Sequence, residues 1–202
     1  EIFVHAFDHM TGIIDDINMI RTNGIRQGAS TLTVHSLILK LSGLIQSKKL
    51  ELDSRYPQKS ITVRLNSEDL IKDGLPNVLS KRLNVEPTEL IRIVSNIINN
   101  SAEAFDFDSN SKGLEIKIRL NWRRQSKNED LLLVSVTDNG LGLPLSIIEN
   151  CGDKRMSFGK TSGSGLGLMH AKKSLIGWNG TLSLGNRDGG GAEVVFGLPC
   201  NG

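Results

Sequence analysis

Glycine is distributed very unevenly along this chain of 202 residues. Of its 21 glycines, 15 lie between Gly140 and Gly202, and only six come before Gly140. Glycine adopts positive φ angles at little cost and lets the backbone approach a ligand closely. The C-terminal part of the chain is therefore expected to contain either many tight turns or a ligand site lined by backbone.

The N-terminal part of the chain has the periodicity of helices. Over residues 1–23 the apolar side chains are separated by alternating steps of four and three, which is the seam of a helical bundle. These side chains are Phe3, Phe7, Met10, Ile14 and Ile17. A second helix is predicted from Ser30 or Thr31, either of which can cap it, to about Leu52. Its seam consists of Val34, Leu37, Leu41 and Leu44.

After Pro57 the pattern becomes that of strands mixed with helices. Pro87 opens a helix, residues 166–176 form another, and the polar residues 144–165 are predicted to be irregular. Period-two alternation predicts strands at residues 61–65, 114–122, 132–136, 181–184 and 192–198.

These elements predict an α+β fold with two domains. Residues 1–56 would form a two-helix hairpin, and a symmetric dimer would bury its two seams in a four-helix bundle. Residues 57–202 would form an α/β sandwich whose mixed sheet carries helices on one face. Because the sequence begins at Glu1 with no signal-like segment, we interpret it as an internal fragment of a longer protein.

Composition excludes several classes of partner and compartment. The net charge of +2, from 24 basic and 22 acidic residues, gives no electrostatic reason to expect binding to nucleic acid or to a membrane surface. No apolar run approaches the roughly 20 residues of a membrane span. Two cysteines, Cys151 and Cys200, are too few for a disulfide framework, so a reducing compartment is expected.

Asn96 and Asn100 form the first segment that could carry chemistry. They are four residues apart on the helix that Pro87 opens, so they lie one turn apart on the same face. An amide oxygen at such a position can hold a phosphate-bound cation. Asparagines on a helix face are, however, more often simply solvated.

The second and third segments are rich in glycine. In Asp138-Asn139-Gly140-Leu141-Gly142 the carboxylate can accept a hydrogen bond from an exocyclic amine, although the same residues are also ordinary turn formers. Gly163-Ser164-Gly165-Leu166-Gly167 leads into a helix, where backbone N–H groups form an anion site. A dinucleotide-binding unit is disfavoured because this run follows an irregular segment, and a phosphate loop is disfavoured because Gly-Lys-Ser/Thr is absent.

In order and spacing the three segments resemble the asparagine box and the two glycine boxes of the histidine-kinase-type (GHKL, Bergerat-fold) ATPases. That superfamily also includes DNA gyrase, mismatch-repair and heat-shock-chaperone ATPases. Ser157-Phe158-Gly159-Lys160 resembles the phenylalanine box of sensor histidine kinases, and Gly191-Ala192 resembles the start of their last glycine-box strand. The resemblance covers residues 57–200.

The resemblance implies that the cofactors are ATP and Mg²⁺. Asp138 would bind the adenine amine, Asn100 would coordinate the metal beside Asn96, and residues 144–165 would form a lid over the nucleotide. The nucleotide-binding residues that it implies are Asn96, Asn100, Asp138, Gly140, Gly142, Phe158, Lys160, Gly163, Gly165, Leu166 and Gly167.

A kinase of this class also needs a histidine exposed on a dimerising helix, and His5 fits best. Apolar residues follow the family's histidine at two, at five or six, and at nine positions, and from His5 these are Phe7, Met10 and Ile14. From His9 the same positions fit less well. The acidic residue that normally follows the histidine is Ala6 here, and Asp8, about one turn away, could partly replace it as the base.

We therefore expect a homodimeric sensor histidine kinase core in the cytoplasm, on its own or as the cytoplasmic part of a membrane-anchored sensor. It would autophosphorylate His5 from Mg-ATP and pass the phosphoryl group to an aspartate in the receiver domain of a response regulator. The alternative is a degenerate kinase, or a phosphotransferase or phosphatase module of the same fold. A different ATPase of the superfamily is disfavoured by the helix pair that carries the histidine.

Overall fold

The structure of the chain, a computed structural model, describes residues 31–67, 70, 78–105, 113–124, 130–150 and 166–201. The helix predicted over residues 1–23 lies outside them. The helices are α1 (Val34–Arg55), α2 (Pro87–Ala104), α3 (Leu145–Asn150) and α4 (Leu166–Gly177). The strands are β1 (Thr31–Thr33), β2 (Ile61–Asn66), β3 (Arg82–Asn84), β4 (Leu114–Arg124), β5 (Asp130–Thr137), β6 (Thr181–Asn186) and β7 (Ala192–Asn201).

All seven of these strands belong to one sheet. Their order is β1-β3-β7-β5-β4-β2, and β6 pairs with β7 beside this path. The β2–β4 pair is parallel and the others are antiparallel. The connection from β2 to β4 includes α2, because parallel neighbours need a long crossover. The sheet is therefore mixed, as the sequence predicts.

The core lies between one face of the sheet and the helices. Alternate residues of the two central strands β4 and β5 are almost fully buried there, while the residues between them lie on the opposite face. These core residues are Leu114, Ile116, Ile118, Leu120, Leu132, Val134 and Val136. They form one cluster with the apolar residues of α1, α2 and α4. The period-two pattern thus predicted both the strands and the face that they bury.

The start of α1 differs from the prediction. Its N-cap is Thr33, not Ser30 or Thr31: the Thr33 Oγ1 accepts a hydrogen bond from the N–H of Ser36 at 3.1 Å. The preceding residues form β1, which pairs with β3. The helix ends at Arg55, three residues beyond the predicted Leu52, where Tyr56 caps it and Pro57 follows.

The seam of α1 packs within its own chain. Val34, Leu37 and Leu41 are each at most 1% exposed and belong to the same core as the sheet. The helix contacts β2 and α2. Three of the four predicted seam residues therefore already have partners within the chain, whereas Leu44 is half-buried. The dimeric bundle stays a prediction. The described residues on both sides of the predicted boundary at 56–57 share one core.

Residues 144–150 differ from the prediction of an irregular segment. They contain the short helix α3, whose first turn is closed by a hydrogen bond from the Ile147 N–H to the Pro144 carbonyl oxygen at 2.9 Å. Ile147 is buried and anchors this turn to the core. The rest of the predicted irregular segment, residues 151–165, lies outside the described residues.

The packing of α1 predicts unequal effects for two leucines on that helix. Leu41→Ala should lower the free energy of unfolding by about 2–5 kcal/mol, because it leaves a cavity in the core. Leu50, which is 73% exposed, is the matched control, and its replacement by alanine should change stability by less than about 0.5 kcal/mol. Denaturant unfolding of the 202-residue chain measures both, and equal losses would contradict this packing.

Candidate nucleotide-binding site

Asp138 directly follows β5 and is only 6% exposed. Its Oδ1 accepts hydrogen bonds from the N–H groups of Gly140 at 2.9 Å and Ala192 at 3.0 Å. Among the described residues no donor reaches Oδ2. One carboxylate oxygen thus fixes the orientation of the side chain, and the other keeps its capacity to accept a hydrogen bond.

Gly191 packs directly against the backbone of Asp138. Its φ is +95°, and a Cβ there would lie 2.0 Å from the carbonyl oxygen of Asp138. Gly189 has a similar φ of +90°, but a Cβ there would meet nothing within 4 Å. Position 191 therefore requires glycine for two reasons. Its φ is positive, and the main-chain carbonyl of Asp138 leaves no space for a Cβ.

The residue after Asp138 anchors the turn to the start of β4. The Nδ2 of Asn139 donates to the carbonyl oxygen of Gly113 at 3.0 Å, and its Oδ1 accepts from the N–H of Glu115 at 2.8 Å. Asn139 therefore has a structural role. Gly140, which follows it, is half-buried, and a Cβ there would lie 3.2 Å from Oδ1 of Asp138.

Gly142 is held on the other side by the end of β6. Its φ is +84°, and a Cβ there would lie 2.7 Å from Oδ1 of Asn186. Asn186 accepts a hydrogen bond from the N–H of Leu143 at 2.6 Å and donates to its carbonyl oxygen at 2.9 Å. The predicted segment from Asp138 to Gly142 is thus a rigid turn with a buried acid at its start.

Asn96 and Asn100 lie half-buried on α2, one turn apart as predicted. The asparagine between them, Asn99, is engaged with α1. Its Oδ1 accepts from the Nζ of Lys48 at 2.9 Å, and that buried amine also donates to Glu51 at 2.6 Å. Asn99 therefore has a partner that explains it without any ligand.

A polar cluster joins α2 to α4. The Oε1 of Glu89 accepts from the Oγ of Ser174 at 3.0 Å and lies 2.9 Å from Nδ1 of His170. The Oε2 of the same carboxylate accepts from Nε of Arg92 at 2.9 Å. Both oxygens of the Glu89 carboxylate thus have partners. Two of these partners, His170 and Ser174, lie on α4, whereas Glu89 itself lies on α2.

Arg92 lies over the ring of His170. One of its terminal nitrogens is 3.2 Å from Nδ1 and 2.8 Å from Nε2. An atom this close to both Nδ1 and Nε2 cannot lie in the plane of the ring, because it would collide there with Cε1. It therefore lies above the ring. This terminal nitrogen of the guanidinium therefore lies against the face of the imidazole ring.

Glu89 stays ionised in this cluster. Burial alone would raise the pKa of its carboxyl, but the hydrogen bonds from His170 and Ser174 and the charges of His170 and Arg92 outweigh it. Together they hold the pKa of Glu89 below its usual range.

The same contacts show how α2 and α4 run past each other. Ser174 meets Glu89, whereas His170, one turn earlier on α4, also meets Arg92, one turn later on α2. The two helices are therefore antiparallel at this contact. One further turn along each brings the first turn of α4, with Gly167, towards Asn96.

The residue pattern of the sequence did not predict this cluster. Its signal is weak but present: Glu89 and Asn96 are seven residues apart and share a helix face. His35, the other histidine in this part of the chain, is exposed as expected. Burial raises the pKa of the Cys200 thiol to about 12, so this cysteine is protonated and unreactive.

The remaining predicted site residues are placed as follows. Gly167 is half-buried in the first turn of α4, and Leu166 is the first residue of that helix. The others lie outside the described residues: His5, Asp8, Phe158, Lys160, Gly163 and Gly165.

The described residues offer no cluster of side chains for a metal ion. They contain no group of three or more His, Cys, Asp or Glu side chains that could hold a metal. Magnesium commonly takes most of its ligands from phosphates and water, with one or two oxygens from the protein. An asparagine amide on α2 is compatible with that role.

The chain belongs to the family described as "Histidine kinase-, DNA gyrase B-, and HSP90-like ATPase", which matches residues 85–202. ATP binding is the property that this family shares, and the resemblance seen in the sequence is confirmed.

Among curated relatives, the chain is similar to sensor kinases. It is 28% identical to Sporulation kinase B of Bacillus subtilis (strain 168) over 165 residues, which are 81% of this chain and 34% of that protein. It is 24% identical to the sensor protein kinase WalK of Staphylococcus saprophyticus over 57% of this chain and 18% of that protein. The chain thus spans about a third or less of the length of these relatives.

Solved structures share the fold. The catalytic domain of histidine kinase ThkA matches with a TM-score of 0.57 and 19% identity, over 86% of this chain and 96% of that one. Full-length ShkA in complex with AMPPNP matches with a TM-score of 0.63 and 19% identity, over 98% of this chain and 37% of that one. Within the described ranges, none of the helices has the length and apolar character needed to cross a membrane.

Two of the three glycines in the β6–β7 turn predict a difference between matched variants. Gly191→Ala and Gly189→Ala both place alanine at a positive φ, which costs about 1–2 kcal/mol. Gly191→Ala should destabilise the chain further, because its Cβ would collide with the carbonyl of Asp138. Denaturant unfolding measures the difference, and equal losses would contradict the described approach of β7 to Asp138.

Proposed function

We propose that the chain is the catalytic core of a sensor histidine kinase that binds Mg-ATP and phosphorylates a histidine of its own. The observation that carries this proposal is the Asp138 carboxylate, oriented through Oδ1 by two backbone N–H groups and offering Oδ2 to a ligand. Family membership supports ATP as that ligand.

Asp138 would accept the hydrogen bond from the exocyclic amine of adenine. A carboxylate accepts only, so it selects a ring that presents a donor. Gly140 and Gly142 let the following turn pass close to the ring without side chains in the way.

The phosphates would lie between α2 and the start of α4. Asn100 would supply an amide oxygen to Mg²⁺ with Asn96 beside it, and the backbone of Gly163, Gly165, Leu166 and Gly167 would bind phosphate oxygens. The resemblance assigns Phe158 and Lys160 to the same site. When bound, Mg-ATP supplies the phosphoryl group and offsets its charge.

His5 would receive the γ-phosphoryl group. The unprotonated nitrogen of the neutral ring would bond to phosphorus while the bond from phosphorus to the bridging oxygen breaks and ADP leaves, and the other ring nitrogen would release its single proton. Asp8 is the proposed acceptor of that proton, because Ala6 stands where the family normally has an acidic residue.

The proposed partners follow from the same assignment. We propose that the protein acts as a homodimer on the cytoplasmic side and passes the phosphoryl group to an aspartate of a receiver domain. Since the α1 seam is buried in its own chain, the dimer contact that we propose is the apolar seam predicted over residues 1–23.

Asp138→Asn tests the adenine site. The amide oxygen can keep both backbone hydrogen bonds, while its NH₂ replaces the free acceptor with a donor. We expect ATP affinity to fall by about tenfold to a hundredfold, the range of a hydrogen bond to a charged group. Asp188→Asn, in the exposed turn after β6, is the matched control. Unchanged affinity by calorimetry would contradict the assignment.

Labelling with γ-labelled Mg-ATP tests the phosphoacceptor. We expect an acid-labile label on the chain that His5→Gln removes and His9→Gln retains, because phosphohistidine is acid-labile. Label that survives His5→Gln would move the site elsewhere. ATP binding without any label would favour the degenerate kinase that Ala6 suggests.

A further inference from the structure

We propose that Glu89, Arg92, His170 and Ser174 form a positioning cluster for the phosphates of ATP. The cluster fixes α4 against α2, so that the start of α4 stays in register with Asn96 and Asn100. This inference rests on the proposed function, since it concerns the same nucleotide site. None of the four residues is among those expected to touch the nucleotide.

The placement of the cluster on α2 supports this role. Glu89, Arg92, Asn96 and Asn100 follow one another at steps of three, four and four, so they form one stripe along the helix. The same face of α2 therefore holds α4 at its N-terminal end and carries the proposed metal ligand at its C-terminal end.

The placement on α4 is complementary. Gly167, His170 and Ser174 follow at steps of three and four, so they also share a face. Because the helices are antiparallel at this contact, a slip of one turn would move the start of α4 by about 5.4 Å. Such a slip would separate the phosphate-binding backbone from Asn96.

The polar groups of the cluster are better suited to fixing the register of α4 on α2 than to stabilising the fold. The side chain of Glu89 is 13% exposed and that of His170 is 15% exposed. Burying such groups costs free energy that an apolar contact would avoid. An apolar contact, however, tolerates sliding, whereas the hydrogen bonds from Ser174, His170 and Arg92 fix both oxygens of one carboxylate.

The adenine side of the site depends on other elements. Asp138 is held by the turn after β5 and the start of β7, and neither helix contributes to its hydrogen bonds. Loss of the cluster should therefore weaken binding of the triphosphate and leave binding of the base nearly unchanged. A merely structural role would lower stability without changing that ratio.

The experiment compares two ligands on the 202-residue chain by calorimetry. One is Mg-AMPPNP, which has three phosphates, and the other is adenosine, which has none. The variants are Glu89→Gln, which keeps the shape but removes the charge, and His170→Phe, which keeps the ring but removes its nitrogens. Asp53→Asn, which breaks the Lys49–Asp53 pair on α1, is the matched control.

We expect both cluster variants to bind Mg-AMPPNP about tenfold more weakly, a loss typical of one hydrogen bond to a charged group. Adenosine affinity should stay within about twofold, and Asp53→Asn should leave both affinities unchanged. Should Glu89→Gln fail to fold, Ser174→Ala removes only one hydrogen bond and should show the same trend at about threefold.

Two other outcomes separate this inference from the proposed function. If the wild-type chain binds both ligands and the variants keep the wild-type ratio of affinities, the positioning role is overturned while the nucleotide site stands. If the wild-type chain binds neither ligand, the proposed function itself is overturned, and this inference is overturned with it.

Discussion

Two backbone N–H groups converge on one oxygen of Asp138, one from the turn after β5 and one from the start of β7. Burying a carboxylate is costly unless it is hydrogen-bonded, and these two bonds make the buried position tolerable. They also join the ends of two neighbouring strands. The direction of the remaining carboxylate oxygen follows from this contact, as does the lack of space at Gly191, while Asn139 and Asn186 hold the turn to Gly142.

The local sequence was informative where one residue type has one physical reason to be present. Alternating apolar residues placed the central strands, and Pro87 placed the start of α2. The seam of α1 was different. Steps of three and four show that a helix buries one side, but they do not show whether a sheet or a second helix covers it. β1 and β3 were missed because three residues are too few for a period to be seen.

Only some of the contacts in the candidate site could be predicted from the sequence. Asp138, Gly140 and Gly142 lie within five residues, so the sequence alone brings them together. Glu89 and His170 are far apart in sequence, and only the crossing of α2 and α4 brings their side chains to 2.9 Å. The order of the boxes thus predicts which elements form the candidate site. How those elements are held in register required the tertiary structure.

The position of β7 has a consequence for how this chain folds during synthesis. β7 pairs with β3, β5 and β6, so it joins β1 and β3 to the rest of the sheet. Until Ala192–Asn201 has left the ribosome, β3, β5 and β6 each have an edge that β7 would pair. The core is also incomplete, because the side chains of β7 are missing from it. Contacts of such large sequence separation form slowly, and exposed edges invite aggregation. The nascent chain is therefore expected to depend on chaperones until its last strand is made.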